Sequence, residues 1–261
     1  MTHPPDILKE LGLLPQWRLC APAADTAAEG KSAKVAPAAE VAKVASGDAK
    51  AKPAADVIAK KPAAVVGEKP PVVIAANIAK MDWAALYQTV HSCVKCELCQ
   101  KRKQPVFGIG DTEADIMFVG EGPGAEEDRQ GEPFVGAAGK LLDRMLSAIG
   151  LSRESGVYIA NVVKCRPPQN RTPKNTEAAA CLPYLHRQIE LVKPKLLVAL
   201  GRVAAAHLGA DAPIAQTRQS MHEYRGIRLV VSYHPAYLLR TPADKRKSWD
   251  DLRLIKKLAA S

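Results

Sequence analysis

The chain has 261 residues, 47% of them hydrophobic, and 37 Lys and Arg against 27 Asp and Glu, a formal net charge of +10. That excess points to a polyanionic partner such as nucleic acid. No apolar run reaches the roughly 18–20 residues that cross a bilayer, and the N-terminus has no basic region followed by an apolar one, so neither a membrane span nor a signal peptide is expected. The six cysteines are therefore expected as thiols or metal ligands in a reducing, bacterial-type cytoplasm rather than as disulfides.

Within residues 1–20, Ile7, Leu8, Leu11 and Leu14 fall at helical spacing, followed by Trp17 and Leu19. A short apolar segment ahead of a long tether suggests a docking peptide for a partner protein. Packing on its own domain is the plainer alternative. Residues 21–80 hold 21 Ala, 9 Lys and 6 Pro and no aromatic residue. Such a segment buries too little apolar surface to offset its chain entropy, so a disordered tether is expected.

From residue 81 to 261 the pattern is globular. Trp83, Leu86, Tyr87 and Val90 share one helical face. The apolar runs ADIMFVG (114–120), VYIANVV (157–163), PKLLVALG (194–201) and GIRLVVSYHP (226–235) read as four strands. Helices are expected at 139–151, after a Thr172 cap with Pro173 at the first helical position, at 202–208, and at the C-terminus. Strand–helix alternation predicts an α/β layered fold with a mostly parallel sheet. Ligands in such folds bind beyond the carboxyl ends of the strands.

Three motif-rich stretches sit at those ends, at 120–134, 161–168 and 232–240. The first, GEGPGAEEDRQGEPF (120–134), is a glycine-rich turn followed by Glu126, Glu127, Asp128 and Glu132. Acids follow the turn and no lysine–serine/threonine ending is present, which disfavours a nucleotide-phosphate loop. The cysteines add a second signal: Cys93 and Cys96 form a CxxC, Cys99 follows, and Cys165 and Cys181 are separated by fifteen residues. Four thiolates so spaced suit either a [4Fe–4S] cluster or a tetrahedral zinc, and spacing does not separate the two.

The ordered set CVKCELCQKRKQPVFGIGD, GEGPGAEEDRQGEPFVGAAGKLLD, VYIANVVKCRPPQNRTP, Cys181 and SYHPAYLLR closely resembles the iron–sulfur, or family 4, uracil-DNA glycosylases over roughly residues 81–258. The resemblance implies a three-layer α/β/α sandwich with a short, mostly parallel four-stranded sheet. It also implies a [4Fe–4S] cluster on Cys93, Cys96, Cys165 and Cys181, leaving Cys99 out. The implied reaction is hydrolysis of the N-glycosidic bond of deoxyuridine in single- and double-stranded DNA, carried out by a monomer. A non-catalytic or covalent uracil-DNA sensor of the same fold is the alternative.

The resemblance also assigns roles. Phe134 would stack beneath an extruded uracil, and the Asn161 amide would pair with its O4 and N3–H, a pattern that cytosine reverses. His234 would donate to O2 as negative charge builds there. Gly122 occupies the place of an aspartate found in the better-known single-domain uracil glycosylases, so the water-positioning carboxylate is expected to be Glu127 or Glu121. Glu126 would merely favour a helix N-terminus. Tyr237, Leu238 and Leu239 would probe the base stack, Arg240 would meet a phosphate, and Lys164, Arg166 and Arg171 would place the Cys165 loop against DNA. Gln219 departs from the family's usual glycine.

Overall fold

The computed structural model describes residues 77–218 and 220–259. The docking peptide, nearly all of the tether and Gln219 lie outside the described residues. Ile78, in a short turn spanning Ile78–Lys80, is only 2% exposed. Packing therefore begins inside the stretch that composition assigns to the tether, because one buried isoleucine does not shift an alanine-rich average.

In chain order the elements are α1 (Trp83–His91), β1 (Ile109–Gly110), β2 (Ile116–Gly120), α2 (Ala125–Gln130), α3 (Ala137–Ala148) and β3 (Val157–Asn161). They continue with α4 (Asn175–Val192), β4 (Leu196–Leu200), α5 (Arg202–His207), α6 (Ile214–Thr217), β5 (His222–Tyr224), β6 (Ile227–Ser232), α7 (Pro235–Arg240) and α8 (Lys245–Ala259). The sheet order is β1-β3-β2-β4-β6-β5. The four central strands pair in parallel and are the four that the apolar runs predict. The sheet has six strands rather than four, because β1 and β5 add antiparallel edges. Those edges are two and three residues long, too short to leave a periodic pattern.

β2, β3 and β4 are buried along their whole length, as expected for strands covered on both faces. Met117, Val119, Tyr158, Leu197 and Val231 face one layer with α1, α4 and α5. Ile116, Phe118, Ile159, Val198 and Val230 face the other with α3, α7 and α8. Each fully buried side chain of this size stabilises by about 1.5–3 kcal/mol, and the period of two divides them into two cores. The three layers follow directly.

α4 starts at Asn175 rather than at a Thr172 cap. Glu177 accepts from the Lys174 N–H at 2.7 Å and takes a bidentate pair from Arg171, which fixes the first turn two residues later. At the far side of the sheet, buried Arg218 pairs with Asp251 at 2.8 Å, and Asp251 accepts from the Ser232 hydroxyl at 2.8 Å. This ties α8 to the end of β6, two residues before His234.

Candidate active site

Register alone brings the main groups together. Gly120 at the end of β2 lies opposite Asn161 at the end of β3, and His234 follows β6. Their carboxyl ends open on a cleft of about 550 Å³. Nine predicted residues line it: Glu121, Gly122, Glu127, Phe134, Asn161, Arg171, His234, Tyr237 and Arg240. Arg166 and Leu238 are not among the lining residues.

Phe134 and Asn161 meet across Gly120. A Cβ at position 120 would stand 2.4 Å from the Asn161 Oδ1 and 2.6 Å from the Phe134 ring, so only glycine lets them converge. Asn161 is 2% exposed, and its Oδ1 has no hydrogen-bond partner among the described residues. A buried orphan acceptor costs about 1–3 kcal/mol, and one at the wall of a cleft is placed to be satisfied by a bound ligand. Phe134 adopts a left-handed backbone, φ 56°, a strain on the order of 1–3 kcal/mol. Its ring stacks on His234 with centroids 5.6 Å apart.

His234 caps α7: its Nδ1 accepts from the Ala236 N–H at 3.1 Å. The proton of the neutral ring therefore sits on Nε2. Burial, assisted by Arg240 and opposed by Glu127, pulls its pKa down to about 4. At neutral pH the site holds an uncharged imidazole with one N–H donor.

The two candidate carboxylates differ. Glu127 Oε1 accepts from the N–H groups of Val135 and Gly136 at 3.0 and 2.9 Å, and Oε2 accepts from the Gly124 N–H at 3.1 Å. It caps α2 and holds the chain entering α3, so its oxygens are committed to backbone. Glu127, expected as a water-positioning carboxylate, is thus held in one orientation by three backbone N–H groups. Glu121 has a hydrogen bond from the Thr172 side chain, and burial raises its pKa above the usual carboxylate value. It forms no ion pair among the described residues and faces the cleft. Thr172, expected as a helix cap, is thus a site residue that sequence reasoning misassigned. Asp128 is buried and accepts from the Lys103 N–H at 2.9 Å, and Glu126 pairs with Arg129 at the surface.

The flanking loops bring further corrections. Leu238 is 1% exposed and packs in the core, whereas Leu239 is 44% exposed. One turn of α7 cannot present both to DNA, and the helix buries the first. Tyr237 stacks on Tyr233 with centroids 5.1 Å apart and donates to Asp244. Arg166 is held by Asn170 at 2.7 Å, outside the cleft. Lys164 is 1% exposed and donates to the Asn161 carbonyl at 3.0 Å and to Gln188 at 2.5 Å. That burial removes it from any phosphate contact.

Behind this loop, Cys93, Cys96, Cys99, Cys165 and Cys181 all line one small cavity. Arg102 donates to the Cys165 sulfur at 2.9 Å, Tyr184 to Cys93 at 3.2 Å, and the Lys164 N–H to Cys181 at 3.2 Å. Burial raises the thiol pKa values of Cys165 and Cys181, so holding them as thiolates calls for a cation in the cavity. The donor set fits a thiolate-bound metal group. Among the described residues, no three His, Cys, Asp or Glu side chains are grouped to hold a single ion; the sulfurs ring the cavity instead.

Comparison with known proteins agrees with this geometry. The family model for the Uracil DNA glycosylase superfamily matches residues 107–253. A type-4 uracil-DNA glycosylase of Pyrobaculum aerophilum is 42% identical over 185 residues, which span 67% of this chain and 93% of that protein. One from Sulfurisphaera tokodaii is 44% identical over 182 residues, 66% of this chain and 82% of the relative. One from Thermotoga maritima is 45% identical over 161 residues, 60% of this chain and 83% of the relative. No described helix is long and apolar enough to cross a membrane. On the family match over more than half of the chain and these identities, this protein belongs to the uracil-DNA glycosylase superfamily and, within it, to the type-4 uracil-DNA glycosylases.

Proposed function

We propose that the protein excises uracil from single- and double-stranded DNA by hydrolysing the N-glycosidic bond of deoxyuridine, leaving an abasic site for base excision repair. The observation that carries this reading is the buried Asn161 amide oxygen, unpartnered among the described residues, in a cleft floored by Phe134.

A base within a duplex is out of reach, so the nucleotide is extruded into the cleft. Uracil stacks on Phe134. The Asn161 side chain accepts from its N3–H and donates to its O4, and the same fixed amide mismatches the edge of cytosine. The C1′–N1 bond breaks with its electron pair going to uracil, whose charge spreads onto O2. His234 donates its Nε2–H there and needs no net charge to do so. The Glu121 carboxylate stabilises the positive sugar, orients the water whose oxygen bonds to C1′, and takes up the proton that water releases. Thr172 holds Glu121 in place, Gly122 lets the backbone approach the sugar, and Arg240 meets a flanking phosphate.

Cys93, Cys96, Cys165 and Cys181 would hold a [4Fe–4S] cluster, which supplies a brace for the 161–171 loop and no redox step. The five cysteines that line one cavity, together with the likeness to the type-4 relatives, support that group. The remaining proposals concern setting. Residues 1–20 dock a protein partner through a tether, residues 81–261 form the glycosylase domain, and a monomer suffices because every site residue named here comes from one chain. The compartment is the cytosol, where the nucleoid offers the substrate.

The test incubates purified full-length protein with uracil-containing single- and double-stranded oligonucleotides, followed by alkaline cleavage of abasic sites. Strand scission at uracil is expected. Binding without scission would instead favour a damage sensor, and a visible spectrum of the same sample separates an iron–sulfur cluster from zinc.

A further inference from the structure

We propose that Arg153 is a positioning residue that sets the Phe134 ring for base stacking. The inference rests on the reading of Phe134 as the platform beneath uracil. Arg153 lies in the loop between α3 and β3, outside the cleft lining. Its Nη2 donates to the Phe134 carbonyl at 2.8 Å and its Nη1 to the Pro133 carbonyl at 3.2 Å. The same guanidinium is anchored by Asp143 of α3, through Nε at 2.9 Å and Nη2 at 2.5 Å.

These bonds act on the residue whose backbone is strained. A phenylalanine at φ 56° persists only where its surroundings over-determine it. Two features do so here. Gly139 of α3 leaves room for the Phe134 carbonyl, since a Cβ there would stand 1.7 Å from that oxygen. Arg153 then occupies the carbonyl from the other side. A half-exposed ion pair such as Arg153 with Asp143, at 19% and 47% side-chain exposure, contributes little stability by itself. Its planar fork, however, fixes direction as well as distance. The ion pair orients the fork, the fork holds two successive carbonyls, and the carbonyls aim the ring at the cleft beside His234.

The experiment is a double-mutant cycle in the full chain: R153Q, F134A and the pair, each assayed for single-turnover uracil release and for inhibition by free uracil. Binding to an abasic-site oligonucleotide and thermal melting are the controls. R153Q is expected to slow release on the order of tenfold to a hundredfold, the penalty of a misplaced reacting group, and to weaken inhibition by uracil. Abasic-site binding should stay within about twofold, R153K should restore part of the rate, and R153Q should add nothing to F134A. D143N, which removes only the anchor, gives the same cycle if R153Q does not fold. Full turnover in R153Q beside an impaired F134A, or losses that add in the pair, would overturn the proposal. Full turnover in F134A would instead remove the stacking reading itself.

Discussion

The cleft and the cysteine cavity lie on either side of the 161–171 loop, and they treat their polar groups in opposite ways. In the cleft the Asn161 oxygen has no partner and the half-buried Glu121 carboxyl no ion pair among the described residues, and His234 keeps a donor on Nε2. In the cavity three of the sulfurs are supplied with donors, from Arg102, Tyr184 and the Lys164 backbone. Unpaired groups await a ligand that comes and goes. Sulfurs ringed by N–H and O–H donors are provisioned for lasting negative charge. Lys164 joins the two regions, its backbone N–H on Cys181 and its ammonium on the Asn161 carbonyl.

The cavity should be the more costly region to break. Cys181→Ala is expected to lower the melting temperature by about 10 °C or more, which corresponds to about 4 kcal/mol in a domain of this size, and to abolish visible absorption. Cys99→Ala should leave both unchanged, although Cys99 lines the same cavity. Loss of absorption in Cys99→Ala would redraw the ligand set.

A change in the cleft should cost rate instead of structure. His234→Ala is expected to slow single-turnover uracil release on the order of 10²–10³, as loss of one oxyanion donor does, with melting within a few degrees of wild type. A collapse in melting would make His234 a structural cap first.

Two adjacent leucines sharpen the boundary between core and surface. Leu238→Ala should destabilise by about 2–5 kcal/mol through a cavity in the α7 packing, seen in denaturant melts. Leu239→Ala should leave stability alone and raise the KM for double-stranded more than for single-stranded substrate.

The smallest expected effect is in pH. The folded state holds His234 and His186 with pKa values near 4, both lowered mainly by burial, against about 6.5 unfolded. The unfolded chain therefore binds more protons between those values. Stability is full above pH 6.5 and declines as pH falls toward 4. His234→Gln should make that decline shallower in melting scans.

How much of this was legible in the sequence follows from range. The four central strands are continuous apolar runs, and their order with the glycine-rich turn and HPAYLLR predicts where the cleft opens. The edge strands are too short for any period to register. Glu127 illustrates the limit best. Its position three residues after Gly124 is a local capping pattern carried by the sequence. Its bonds to Val135 and Gly136 depend on how the chain returns after α2, which spacing does not encode. Leu238 and Leu239 are alike as sequence neighbours, and only the helix turns one of them inward. Lys164 reads as a surface cation beside Arg166, and only the buried Gln188 and the Asn161 carbonyl make its interior place tenable.

The central claim is that the cleft keeps one carboxylate uncommitted and ties the other to the backbone, and a paired comparison of E121Q with E127Q tests it directly. Single-turnover uracil release is measured across pH beside thermal melting. E121Q should lose on the order of 10²–10³ in rate with unchanged melting. It should also lose the acid limb that wild type shows as pH falls through the raised Glu121 pKa. E127Q should melt lower by about 1–2 kcal/mol, the scale of a lost cap, and keep that acid limb. Full turnover in E121Q, with a rate collapse at unchanged melting in E127Q, would contradict the account and return the water to Glu127.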